Sequence, residues 1–202
     1  MMEETDRKIR CSWCKGNLLA RQYHDREWGV PIHGDQAHFE ALTLEIFQCG
    51  LNWNLILSKR EIFRSCFENF QIGAVAEYGE EDIRRILSTP GMIRSRRKIE
   101  ATIRNAQIFL QIAARCGSFD RFIWQFTGGK TLLYPAYQGN IPLSNSLSDR
   151  VCKALKQEGI RHIGSVTVYS YLEACGIIQD HERSCFRYSQ LLGEHIQITE
   201  GE

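Results

Sequence analysis

Gln157-Glu158-Gly159-Ile160-Arg161-His162-Ile163-Gly164-Ser165-Val166-Thr167 lies between two stretches of helical periodicity, and its two glycines bracket a tight turn. Glycine reaches backbone angles closed to other residues. The spacing therefore predicts a helix-hairpin-helix pattern with helices over 148–158 and 165–176. Such a turn aims N–H groups at the start of the second helix toward a phosphate, and it needs no net charge to do so. Gly159, Gly164, Ser165 and Thr167 are the residues placed to meet a nucleic-acid backbone. A plain corner between two helices carries the same Gly-x-x-x-x-Gly spacing, so the motif alone leaves both readings open.

Helical periodicity dominates the rest of the chain, which predicts an all-α protein without convincing strands or repeats. Residues 36–49 carry Phe39, Leu42, Thr43, Ile46 and Cys49 at helical spacing and stop at Gly50. A second helix is expected over 54–66 with Leu55, Ile56, Phe63 and Cys66 inward, and a short one over 80–88. The clearest stripe runs over 96–115, through Ile99, Ile103, Ala106, Ile108, Leu110 and Ala113. Asp120 is placed to cap a helix over 121–127. The Gly-, Pro-, Asn- and Ser-rich stretch 128–147 reads as a surface excursion. Residues 1–188 form the expected domain, and 189–202 a polar, loosely held tail.

At 202 residues the chain is one large domain or two small lobes, long enough to bury a core without disulfides. Its net charge of +1 provides no global basic field, so any contact with nucleic acid has to come from a local patch. One candidate is Arg94, Arg96, Arg97 and Lys98, although a solvated helix face is the usual reading of such a run. No apolar run reaches membrane-spanning length and no signal peptide is visible, so an intracellular, cytoplasmic protein is expected. Its eight cysteines then read as reduced thiols or metal ligands.

Two cysteine and histidine pairs stand at opposite ends of the chain, Cys11 with His24 and His181 with Cys185. Together they form a Cys₂His₂ set suited to tetrahedral zinc. Cys11-Ser12-Trp13-Cys14 is a C-x-x-C, so Cys14 competes with Cys11 for one position. Ordinary buried thiols give the same spacings by chance.

Trp13, Tyr23, Trp28 and Trp53 lie close in sequence to these residues and to Glu45, a carboxylate one step round from the apolar line of its helix. Flat aromatic faces beside an acid suit a cationic base. Taken singly, Glu45 reads as a solvated residue and the tryptophans as core.

The run Tyr23-His24-Asp25-Arg26-Glu27-Trp28-Gly29-Val30-Pro31, then Leu44-Glu45, Gln48-Cys49-Gly50-Leu51-Asn52-Trp53 and Lys59-Arg60-Glu61, resembles the bacterial 3-methyladenine DNA glycosylase I family. Gly91-Met92-Ile93-Arg94, Arg97-Lys98-Ile99, Gly164-Ser165-Val166-Thr167-Val168-Tyr169-Ser170, Ala174-Cys175-Gly176 and Asp180-His181 continue the likeness in order and spacing. The resemblance implies a two-lobed, all-α helix-hairpin-helix fold, with the target base of double-stranded DNA flipped into a pocket between lobes. It implies one structural zinc on Cys11, His24, His181 and Cys185, which decides against Cys14. It makes Glu45 the base-recognising acid, Trp53 the stacking face, and Tyr23, Trp13 and Trp28 the remaining wall.

The implied activity is monofunctional hydrolysis of the N-glycosidic bond of an alkylated adenine by a monomer, since no Schiff-base lysine is identifiable. Asp180 stands where the wider superfamily has a catalytic carboxylate, although a helix cap or a partner of His181 is the better reading of it. Ile46, Cys49 and Asn52 depart from the family pattern beside Glu45 and Trp53. Their bulk and polarity either narrow the pocket, add a contact at the base edge, or are absorbed by repacking. The rival readings are a zinc-stabilised lesion-binding protein without catalysis, and a zinc hydrolase with an open metal position.

Overall fold

The computed structural model describes residues 8–134, 141–192 and 196–199. Helices are α1 (Leu18–Arg26), α2 (Asp35–Gln48), α3 (Trp53–Ser58), α4 (Arg60–Cys66), α5 (Ile72–Ala76) and α6 (Glu80–Ser88). The long α7 (Arg96–Cys116) follows, then α8 (Phe119–Trp124), α9 (Ser146–Glu158), α10 (Ser165–Ala174) and α11 (Phe186–Leu191). Among the described residues, none of these helices is long and apolar enough to cross a membrane.

α2 is the central helix. It packs against α3, α7, α8 and α10, and every residue from Leu42 to Phe47 is buried. A helix covered on all sides needs no polar stripe. One continuous apolar core runs from Phe39 on α2 through Phe109 on α7 and Phe119 on α8 to Leu172 and Ile178. Phe109 and Phe119 stack with centroids 3.6 Å apart. A second small cluster gathers Cys11, Tyr23, Trp28 and Cys185, with Trp53 and Phe186 against it.

Several local expectations change. The helix expected over 54–66 is two, broken at Lys59 (φ −106°, ψ 4°), whose ammonium reaches the Gly91 carbonyl. Leu55 on α3 and Leu110 on α7 are turned outward. The cap of α8 is Ser118, whose hydroxyl accepts from the Arg121 N–H. Asp120 lies inside that helix and accepts from His38 and from the Gly34 N–H.

The chain is mostly helical rather than all-α. β1 (Thr131–Leu133) pairs in parallel with β2 (Ile178–Gln179) on one side and β3 (Ile196–Ile198) on the other. β1 lies inside the stretch expected to be a surface excursion, yet all three of its residues are buried. β3 lies in the stretch expected to be a loose tail. Residues 135–140 of the excursion, and 193–195 and 200–202 of the tail, lie outside the described residues.

The loop that follows α1 is fixed to the end of α10 by direct backbone contact. The Gly29 N–H donates to the Glu173 carbonyl and the Ile32 N–H to the Cys175 carbonyl. Gly176 (φ +68°) lies beneath this loop, and a Cβ there would stand 2.4 Å from the Pro31 nitrogen and 2.5 Å from the Val30 carbonyl carbon. Gly176→Ala is expected to cost about 3 kcal/mol or more, through forced separation of two backbones and a left-handed backbone angle. A thermal melt should fall by about 6–12 °C. Co-melting with the wild type would contradict this packing.

Candidate active site and metal clasp

Cys11, His24, His181 and Cys185 are brought together from four places on the chain. They are buried, and their donor atoms lie within 4.8 Å of one another. Cys11 precedes a short 3-10 turn over Ser12–Cys14, His24 is on the inner face of α1, His181 follows β2, and Cys185 caps α11. Cys11 Sγ is 3.4 Å from His181 Nδ1, and Cys185 Sγ is 3.4 Å from His24 Nε2 and 3.6 Å from His181 Nδ1. A tetrahedral ion with sulfur at about 2.3 Å and nitrogen at about 2.0–2.1 Å has sulfur-to-nitrogen edges of about 3.6 Å. The residues fit such an ion.

The surroundings also fit. His24 Nδ1 lies 2.8 Å from Asp25 Oδ1, and Asp25 is itself gripped by the Arg10 guanidinium. His181 Nε2 lies 3.1 Å from the Trp28 carbonyl. Each ring thus directs its outer N–H to an acceptor and leaves the inner nitrogen free to ligate, which is the usual outer arrangement of metal-bound histidine. The N–H groups of Glu182 and Arg187 donate to Cys11 Sγ and Cys185 Sγ. The bond to Cys185 raises the Cys11 thiol, and the bond to Cys11 holds the Cys185 thiol far below its ordinary value. Cys14 is buried but stands outside the cluster, its Sγ donating to the Cys11 carbonyl.

Beside the clasp opens a cavity of about 220 Å³ lined by Trp13, Tyr23, Trp28, Glu45, Gln48, Trp53, Ile141, Ser170 and Glu173. Ring centroids are 5.1 Å apart for Trp13 and Trp28 and 5.3 Å for Tyr23 and Trp53. The wall leans on the metal ligands. Trp28 meets His181 edge-on at 4.5 Å and Trp13 meets His24 at 5.6 Å. The sequence-predicted aromatic residues therefore share one cavity, backed by the Cys₂His₂ cluster.

Glu45 is 5 % exposed and aims its carboxyl into this cavity. Among the described residues that carboxyl has no hydrogen-bond partner, and burial alone pushes its pKa up to about 8. Among the described residues no Lys, Arg or His lines the cavity. An acid held this way gains a partner when a flat cation docks beside it.

Asp180 does not line the cavity. It accepts from the Tyr169 hydroxyl at 2.5 Å and is hydrogen-bonded to Glu173, and burial raises its carboxyl. It caps no helix. Gln48, Ser170, Glu173 and Ile141 are lining residues that the sequence reading passed over. The three departures are absorbed elsewhere. Ile46 is in the main core, Cys49 Sγ lies 3.2 Å from Thr167 Oγ1, and Asn52 caps α3 by accepting from the Asn54 N–H. None of them lines the cavity.

The hairpin forms as expected, with α9 and α10 packed together and joined through 159–164. Gly159 (φ +99°) ends α9, and its Cβ position lies 3.3 Å from Ile108. Gly164 is extended and opens α10, and His162 takes the left-handed angle (φ +61°). Asn105 pins the turn through the N–H and carbonyl of Arg161. Ser165 and Thr167 turn their hydroxyls to α9 and α2, Ser165 onto Ser148 and Asp149 and Thr167 onto Cys49. The Ser165 side chain stitches the two hairpin helices together, and Thr167 ties α10 to the end of α2. The basic run divides as well. Arg96 pairs with Glu80 and Glu100, and the Lys98 ammonium caps α2 by donating to the Phe47 and Cys49 carbonyls.

Fold and site together define a mostly helical protein with a helix-hairpin-helix turn, a buried Cys₂His₂ cluster that could hold a metal ion, and an aromatic, acid-bearing cavity shaped for a flat ring. A family model described as methyladenine glycosylase matches residues 13–188, and the chain belongs to that family. DNA-3-methyladenine glycosylase 1 of Escherichia coli is 40% identical over 180 residues, covering 89% of this chain and 96% of that one. DNA-3-methyladenine glycosylase of Haemophilus influenzae is 35% identical over 178 residues, covering 87% and 96%. A solved structure of a 3-methyladenine DNA glycosylase I in complex with 3-methyladenine is 31% identical, with a TM-score of 0.83 over 92% of this chain and 98% of that one.

Proposed function

We propose that this protein is a monofunctional DNA glycosylase that hydrolyses the N-glycosidic bond of 3-methyladenine flipped out of double-stranded DNA. The observation that carries the reading is Glu45, a buried carboxyl without a hydrogen-bond partner among the described residues, facing a cavity walled by four aromatic rings. Relatives named as 3-methyladenine glycosylases over most of their length support it.

Alkylation at N3 makes adenine a cation and a good leaving group. The C1′–N9 bond breaks with its electron pair passing to the base, which leaves neutral. Water adds to C1′ and loses a proton to solvent, giving an abasic sugar. Trp53, Tyr23, Trp13 and Trp28 hold the ring by stacking, and Glu45 is the acceptor a cationic ring needs. A normal, neutral adenine leaves Glu45 protonated and gains no ion pair. Electrostatic stabilisation of charge on the reacting sugar falls to DNA phosphates and pocket carboxyls.

The metal in this reading is one structural zinc. When bound, it ionises both thiols and ties the two chain ends together. Four protein donors complete a tetrahedral shell, which favours a fastener over a hydrolytic centre. The chain acts as a monomer of two helical lobes spanning 1–188, with the pocket between them. The backbone of Gly159, Gly164, Ser165 and Thr167 meets the phosphates, and Asp180 acts on Glu173 rather than on the base.

Incubating methylated duplex DNA with the protein and separating released bases tests the activity. Free 3-methyladenine with strands left intact until alkali is the expected result. Tight binding without release at any enzyme concentration would instead support the lesion-binding alternative. Trp53→Ala should lower kcat/KM by about 5- to 150-fold, the value of one lost stacking face of about 1–3 kcal/mol, and should also lower the melting temperature, because Trp53 packs against both apolar clusters.

A further inference from the structure

The cavity holds a second acid. Glu45 and Gln48 on α2 face Ser170 and Glu173 on α10, so two packed helices each present a polar pair at i, i+3 to the same space. Glu173 is partly buried and bonded to Asp180, and Asp180 is anchored by the Tyr169 hydroxyl. Two carboxyls, Glu45 and Glu173, thus face one cavity, and among the described residues no Lys, Arg or His lines it. Such an arrangement is unfavourable while empty, because two like charges close together in a partly buried site oppose each other's ionisation. A flat cation relieves it from both sides. Burial, Asp180 and Glu45 together raise the Glu173 carboxyl, which is consistent with an acid waiting for its counter-ion.

We propose that Glu173 is a specificity-determining residue of the base pocket, touching the flipped base across from Glu45 and discriminating for its positive charge. This rests on the glycosylase reading above. Glu45 meets the ring from α2 and Glu173 meets it from α10, so the cation lies between two acids. Asp180 and Tyr169 hold the Glu173 side chain in place and do not reach the base. Replacing either pocket acid then removes charge recognition without removing shape recognition.

Glu173→Gln tests this, because glutamine keeps the side-chain length and can still donate to Asp180. Two substrates are compared with wild type, a duplex bearing 3-methyladenine and a duplex bearing its uncharged 3-deaza isostere. Base release from the cationic lesion should fall about 10- to 100-fold in kcat/KM, the value of one charge-assisted contact. Affinity for the neutral isostere should stay within about twofold, since no ionic contact is made there. A parallel loss on both duplexes would mark a structural role and overturn the proposal. So would unchanged release from the cationic lesion. Glu173→Asp retains the charge at shorter reach and should recover part of the lost discrimination; recovery of none overturns the proposal as well. Wild-type protein that releases no base overturns the glycosylase reading and this inference with it, whereas an active wild type beside an equally active Glu173→Gln overturns only the inference.

Discussion

Chelating the proposed zinc should unfold the pocket together with the Cys₂His₂ cluster. Without an ion, only buried imidazoles and thiols are left to join residues 11 and 24 to 181 and 185. Binding of a structural ion is folding free energy, commonly about 10–16 kcal/mol in small zinc sites. Here the main core is independent of the clasp, so the loss is smaller, about 5 kcal/mol or about 10–20 °C in melting temperature. Base release should vanish as well, because Trp13 and Trp28 lean on His24 and His181. Cys185→Ala should reproduce the effect of chelation, while Cys14→Ala should keep full metal content and activity. Metal-free protein that melts and reacts like the wild type would refute the clasp.

Glu45→Gln should separate activity from stability. Activity should fall by about 10²–10³-fold, the usual value of one preorganised electrostatic contact. Stability should rise at pH 8. The folded carboxyl titrates near 8 against an ordinary value of 4.5, so the folded state binds the proton more tightly than the unfolded chain. A raised carboxyl therefore stabilises the fold at low pH, and this contribution is lost as pH climbs from about 4.5 to about 8. Glutamine does not titrate, so the variant should show a flatter stability profile and exceed the wild type by on the order of 3 kcal/mol at pH 8. Urea titrations at pH 5 and pH 8 decide this. A variant destabilised equally at both would show that Glu45 is a structural acid.

The sequence carries the clasp and the wall more clearly than the inner face of the pocket. α7 declares itself through Ile99, Ile103 and Ala106, because one side meets solvent and the period is visible. α2 also reads as a helix, but it is covered on all sides, so periodicity cannot show that Glu45 points inward. α1 escapes notice for the opposite reason. Its apolar Leu18 and Leu19 are exposed, while Tyr23 and His24 are the buried residues. The three strands are two or three residues long, too short for alternation to register, and they pair residues far apart in the chain. Glu173 looks like a solvent-facing residue within Tyr171-Leu172-Glu173-Ala174. Its only local signal is Ser170 three residues earlier, and α2 must be in place before that face becomes a wall. Ser165 and Thr167 were legible as hairpin residues, but their hydroxyls bond inward, which depends on α9 and Cys49.

Single-turnover reaction on a duplex carrying one 3-methyladenine, with protein in excess and metal content measured, tests the central claim most directly. The account predicts free 3-methyladenine and an abasic site in equal amounts, with release lost in Glu45→Gln and retained in Cys14→Ala. A metal-loaded wild-type protein that binds the lesion duplex yet leaves the base attached would contradict it.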